Sequence, residues 1–96
     1  MYYHTNTIIM KLPESLKLLT DTIWRVKSKK DVSWILEDLL TPGEIVELAD
    51  RIQILKLLSE GKSQRDIAQE MWISVTTVSR GNRVLQYERK SIHKYI

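Results

Sequence analysis

SQRDIAQEMWISVTTVSRGNR, residues Ser63 to Arg83, carries the clearest structural signal in the chain. It reads as two short helices joined by a tight turn. The second opens at Ser74 with small hydroxylated residues and runs into Arg80 and Arg83. Ile67 and Ala68 on the first helix, Ile73 in the turn, and Val75, Val78 and Leu85 on the second supply one shared apolar face. Gln64, Arg65, Gln69, Thr76, Thr77, Ser79, Arg80, Asn82 and Arg83 lie between them. Such hydrogen-bonding side chains suit base edges and phosphates in a major groove, so the pattern is that of a DNA-reading helix-turn-helix over residues 63–85.

The remaining chain is helical in character. Only three glycines and two prolines occur in 96 residues, 43% of residues are hydrophobic, and leucine, isoleucine, lysine and glutamate recur at helical spacing. This predicts an all-α fold of about six helices in a single domain, residues 1–96, with a modest core. Residues 1–12 lack periodicity and are expected to include a flexible arm. Pro13 and Glu14 mark the start of a first helix with a Leu16, Leu19, Ile23, Val26 stripe, ending near Lys27 to Lys30. Asp31 is expected to cap a second helix carrying Val32, Ile35, Leu36, Leu39 and Leu40, with Trp34 as a large anchor. Thr41-Pro42-Gly43-Glu44 combines a capping threonine, a proline at the first helical position and a glutamate that closes a capping box. The third helix should bury Ile45, Leu48, Ala49, Ile52, Leu55 and Leu58 and stop at Gly61. Ser63 with Asp66 repeats the capping-box spacing, Ser74 caps the reading helix, and Gln86 to Ile96 is expected to form a short final helix.

Charge and cysteine content narrow the function. Residues 1–30 hold six Lys/Arg against two Asp/Glu, residues 31–60 two against seven, and residues 61–96 seven against three. The last third contains the helix-turn-helix with Arg89, Lys90 and Lys94, the side on which phosphates would be met. Cysteine is absent, which removes disulfides and thiolate chemistry and fits a reducing compartment. The N-terminus lacks the features of a secretion signal, and no apolar run approaches the ~20 residues that span a bilayer. A cytoplasmic location without membrane contact is therefore expected. His4 and His93 lie near opposite ends with no third ligand at a recognisable spacing, so no metal is expected. No nucleophile, base and orienting group can be assembled, and no glycine-rich phosphate loop occurs, which argues against an enzyme.

Residues 39–87, LLTPGEIVELADRIQILKLLSEGKSQRDIAQEMWISVTTVSRGNRVLQY, resemble the Trp repressor family, including its TrpR-like YerC/YecD branch. The resemblance is carried by the Leu-Thr-Pro opening of the long helix, Arg51, the Glu60 to Asp66 segment EGKSQRD, and Ser79 to Arg83, SRGNR. It implies an intertwined homodimer whose two recognition helices meet a two-fold-symmetric DNA operator. The surplus of apolar residues in the first two helices fits a shared dimer core. The resemblance also implies a pocket for L-tryptophan as corepressor, to which Thr41, Arg51, Arg80 and Gly81 correspond, with Gly81 leaving room beside the ligand. A guanidinium can clamp a carboxylate and another can stack on an indole. Arg83 and Val84 stand where the tryptophan-binding members have asparagine and serine, and Val84 cannot accept a hydrogen bond from an ammonium group.

Within the reading unit, Arg65, Thr76, Thr77 and Ser79 are the candidates for base edges. Lys62, Gln64, Arg80 and Arg83 are the candidates for phosphates, with Ser74 at the helix start. Trp72 occupies the turn position usually given to glycine, at a steric cost of about 1 kcal/mol or more if its φ is positive. An aromatic lid on the core is the expected role, with contact to DNA or ligand as the alternative. The whole predicts a dimeric, sequence-specific, DNA-binding transcriptional regulator, a repressor because a dimer on a promoter blocks polymerase, with activation as the alternative. The competing prediction is a protein-interaction module that keeps the helix-turn-helix as scaffold and docks a partner through Trp34, Trp72 and the apolar helices.

Overall fold

The computed structural model describes residues 10–83 and 92–96, and among these described residues the chain forms five α-helices and one short 3-10 helix, with no strand. The chain divides after Leu40 into two units. In the first, α1 (Leu12–Trp24) begins one residue ahead of Pro13, and the Lys11 amide donates to Glu14 Oε1 at 3.2 Å. It stops at Trp24 instead of running to the lysines. The Arg25 and Val26 amides turn back to the Thr22 and Ile23 carbonyls at 3.2 and 3.0 Å, which tightens and ends the last turn. The second helix, α2 (Lys29–Leu39), is capped by Ser28 and not by Asp31: Ser28 Oγ accepts from the Asp31 amide at 3.1 Å. Asp31 instead lies in the first turn, where its charge complements the helix dipole. No residue of α1 or α2 is buried. Leu16, Leu19, Ile23, Val32, Leu36 and Leu39 are exposed, while Val26 and Ile35 are half-buried. Lys30 Nζ stands 5.0 Å from the Trp34 ring centroid, a cation–π contact.

In the second unit, α3 (Pro42–Ser59) opens with the capping box read from the sequence. Thr41 Oγ1 accepts from the Glu44 amide at 3.2 Å, and Glu44 Oε1 accepts from the Thr41 amide at 2.9 Å. At the other end Gly61 takes φ 91°, a left-handed conformation that costs glycine nothing. Its amide bonds the Leu58 carbonyl at 3.0 Å and the Lys62 amide bonds the Leu57 carbonyl at 3.1 Å, the Schellman arrangement. Ser63 caps α4 (Gln64–Met71) by accepting from the Asp66 amide at 3.1 Å. The return half of that capping box is missing among the described residues, as suits an aspartate one methylene shorter than glutamate. Ser74 Oγ accepts from the Thr77 amide at 3.1 Å and so caps α5 (Val75–Arg83).

The core sits among these three helices: Ile54 of α3, Ile67 and Ala68 of α4 and Val78 of α5, with Leu57, Leu58, Met71 and Ile73 packed against it. Two expectations need correction. Ile54, outside the stripe expected for α3, is 2% exposed, whereas Leu48, Ala49 and Ile52 of that stripe are exposed. The apolar residues of α3 surround the helix on several sides, so periodicity alone cannot tell which face meets α4 and α5. Val75, expected inside, is 51% exposed because it is the first residue of α5, on the solvent side of Val78. Leu85, His4, Ile8, Ile9, Val84, Arg89 and Lys90 lie outside the described residues. Of the final helix expected over Gln86 to Ile96, the described part is a 3-10 helix, Ile92–Lys94, which contacts α3. No helix among the described residues is long and apolar enough to cross a membrane.

Candidate nucleic-acid interface

Trp72 forms the turn between α4 and α5 with φ 58° and ψ 43°, so of the two outcomes the sequence left open, a different turn or a strained tryptophan, the left-handed one holds. The Ile73 amide returns to the Ala68 carbonyl at 3.1 Å and closes the end of α4. The indole, however, is 93% exposed, so Trp72 is no lid on the core. The backbone direction at a left-handed residue carries the side chain away from the helix it ends. Trp72→Gly should therefore stabilise the fold by about 1 kcal/mol, since glycine takes this conformation without a Cβ clash. That corresponds to a rise in Tm of roughly 4–8 °C for a domain of this size. A fall in Tm on thermal unfolding would mean the indole packs against something that stabilises it.

The cap of α5 fixes which of the candidate side chains remain available. Ser74 and Thr77 are engaged with each other, their hydroxyl oxygens 2.9 Å apart in addition to the capping bond. The Ser79 hydroxyl donates to Gln64 Oε1 at 2.7 Å, bridging α5 to the start of α4. Lys62 Nζ meets Glu70 Oε2 at 2.7 Å. The hydrogen bond to Glu70 raises the Lys62 pKa from its ordinary value against a smaller opposing effect of burial, with the charges of Glu70, Asp66 and Glu60 adding to the rise. A phosphate would have to compete with Glu70 for this ammonium group.

Arg65, Thr76, Arg80 and Arg83 are all exposed, and their side chains hold no hydrogen bond or ion pair among the described residues. Thr76, Arg80 and Arg83 follow one another at four and three residues along α5, which places them on one face. Arg65 stands in the first turn of α4. Among the candidate base and phosphate contacts, these four have side chains without any partner among the described residues.

A cavity of about 440 Å³ lies between α3 and α5, lined by Glu47, Asp50, Arg51, Ile54, Leu55, Thr77, Arg80 and Gly81. It brings together three of the four expected ligand residues. Thr41 is not among the lining residues, because it stands ahead of the first turn of α3 with its hydroxyl engaged in the cap. Gly81 also has a packing role that the sequence did not disclose. A Cβ there would stand 2.7 Å from Ile54 Cγ2 and 3.6 Å from Leu58 Cδ1, so the glycine is what lets α5 approach α3. Glu47 and Asp50 were missed; their spacing from Arg51 and Ile54 on α3 puts all four on one stripe and was the available signal. The wall thus offers both charges, with neither arginine in an ion pair among the described residues.

Comparison with known proteins gives a consistent pattern. Residues 14–96 match the family described as Trp repressor protein. A protein named Trp operon repressor homolog from Xylella fastidiosa is 32% identical over 90 residues, covering 86% of this chain and 98% of that protein. The uncharacterized protein YerC of Bacillus subtilis is 32% identical over 74 residues, 77% of this chain and 71% of its own length. A Trp operon repressor homolog from Vibrio vulnificus is 30% identical over 69 residues, 71% of this chain and 68% of its own. No solved structure gives a significant match.

Proposed function

The chain belongs to the Trp repressor family of transcription regulators, and from that premise we propose that it is a sequence-specific DNA-binding repressor acting as a homodimer on a two-fold-symmetric operator. The observation that carries this reading is the exposed face of the helix-turn-helix. A capped recognition helix presents Thr76, Arg80 and Arg83 with no internal partner among the described residues, and Arg65 adds a fourth open group. Phosphate contacts position such a head and base-edge contacts give it specificity. The dimer is supported by the apolar side chains left exposed along α1 and α2, which a second copy would cover. Two heads related by a two-fold axis would meet half-sites about one helical turn apart, roughly 10 base pairs. A dimer seated on a promoter blocks polymerase.

Salt dependence tests this function against the protein-interaction alternative. Binding to duplex DNA should weaken steeply with salt, because counterions are released as phosphates are neutralised. Binding that is insensitive to salt would favour a protein-docking module, and a monomer at micromolar concentration by sedimentation would remove the two-headed arrangement. The cavity between α3 and α5 supports a small effector bearing a carboxylate, with Arg51 and Arg80 as its clamp. L-tryptophan is the ligand the family resemblance nominates. Titration calorimetry should show heat on its addition, and an absence of heat removes it as corepressor.

A further inference from the structure

We propose that Ser79 is a positioning residue that works through Gln64, turning the donor end of the Gln64 amide toward a phosphate of the bound duplex. The inference rests on the DNA-binding reading above. Ser79 and Gln64 stand fifteen residues apart in sequence, yet the Ser79 hydroxyl donates to Gln64 Oε1 at 2.7 Å in a half-buried position. Among the described residues this is the one side-chain hydrogen bond that joins α4 to α5.

A glutamine amide is planar, with its acceptor oxygen and its two-proton donor nitrogen fixed in that plane about 120° apart at Cδ. Once the oxygen is engaged by Ser79, the orientation of the amide is set and Nε2 is the end that remains. An NH2 group offered to a duplex finds phosphate oxygens as acceptors that are the same at every sequence. Gln64 is the first residue of α4 and neighbours Arg65, one of the four open groups on this surface. The Ser79 hydroxyl proton is meanwhile engaged with Gln64, so it is not available to a base acceptor. Ser79, expected from the sequence to read a base edge, is instead reassigned to holding the phosphate contact of another residue.

The test titrates the full chain, by fluorescence anisotropy, against the tightest duplex that the unaltered protein enriches from a random pool, and against a panel of its single-base variants. Ser79→Ala should weaken binding about 3- to 10-fold by the same factor on every duplex, as expected for one neutral hydrogen bond. The slope of log affinity against log salt should not change, since no charge is altered. Ser79→Thr, which keeps the hydroxyl, should restore affinity. Gln64→Glu keeps the acceptor for Ser79 and replaces the donor with an anionic oxygen. It should retain the Tm yet bind more weakly still, with a deficit that grows as salt falls and screening weakens.

Several results would overturn the proposal: a Ser79→Ala protein that binds normally, a loss confined to substitutions at one base pair, or a Gln64→Glu protein with full affinity. If Ser79→Ala does not fold, the Gln64→Glu result decides. If the unaltered protein enriches no duplex, the DNA-binding reading fails and this proposal falls with it.

Discussion

Ile67→Ala is expected to lower the unfolding free energy by about 2–5 kcal/mol, the range for truncating a buried isoleucine to alanine. Ile67 is 0% exposed and shares a small core with Ile54, Ala68 and Val78. Because so few side chains fill it, their neighbours have little scope to collapse into the space a lost side chain leaves. The loss is large against the ~5–15 kcal/mol that separates a typical domain from its unfolded state. Ile67 also joins the three helices that hold the reading surface, so the same change should loosen the placement of α5 before the chain unfolds. Urea unfolding at a fixed protein concentration measures the effect, the fixed concentration being needed because a dimer's stability depends on it. Val75→Ala at a half-exposed position is the control and should stay within about 0.5 kcal/mol. A cost for Ile67→Ala below about 1 kcal/mol would contradict the core described above.

Arg65→Ala is expected to separate binding from stability. A cation in the first turn of a helix opposes the positive end of the helix dipole, and Arg65 holds that position in α4. No ion pair offsets it among the described residues. Removing it should therefore leave the Tm unchanged or slightly raised. If the guanidinium takes a guanine edge by two hydrogen bonds, affinity should fall by about 1–3 kcal/mol per half-site, roughly 5- to 160-fold. The preference at one position of each half-site should relax as well. A loss of equal size on every sequence, with a shallower salt slope, would make Arg65 a phosphate contact.

The parts of this fold that were legible in the sequence are those governed by local chemistry. Thr41, Ser63 and Ser74 cap as their types and spacing require, because a hydroxyl three residues ahead of an amide needs no distant partner. Gly61 and Trp72 both take the left-handed conformation at the two positions where helices must end and turn. Ser28 was legible too, since Asp31 follows it at the same three-residue spacing; the acidic residue drew the capping role only because aspartate is itself a good cap. What was not legible depends on tertiary packing. Nothing local distinguishes Ile54 from Ile52, and only the approach of α4 and α5 decides that the first is buried and the second exposed.

The candidate site divides the same way. Residue types and spacing were enough to nominate Arg65, Thr76, Arg80 and Arg83. Which hydroxyls and amides were already engaged was a matter of three-dimensional proximity. Ser79 and Gln64 meet only because α4 packs against α5, and Lys62 reaches Glu70 eight residues on, along α4. Likewise Gly81 reads as space for a ligand until Ile54 is seen 2.7 Å from where its Cβ would stand.

Reading of DNA sequence by this surface as a two-fold dimer can be measured by selecting bound duplexes from a random DNA pool at near-physiological salt, with and without L-tryptophan. One motif made of two inverted half-sites about 10 base pairs apart should be enriched. A pool that emerges without any enriched motif under either condition would contradict this reading.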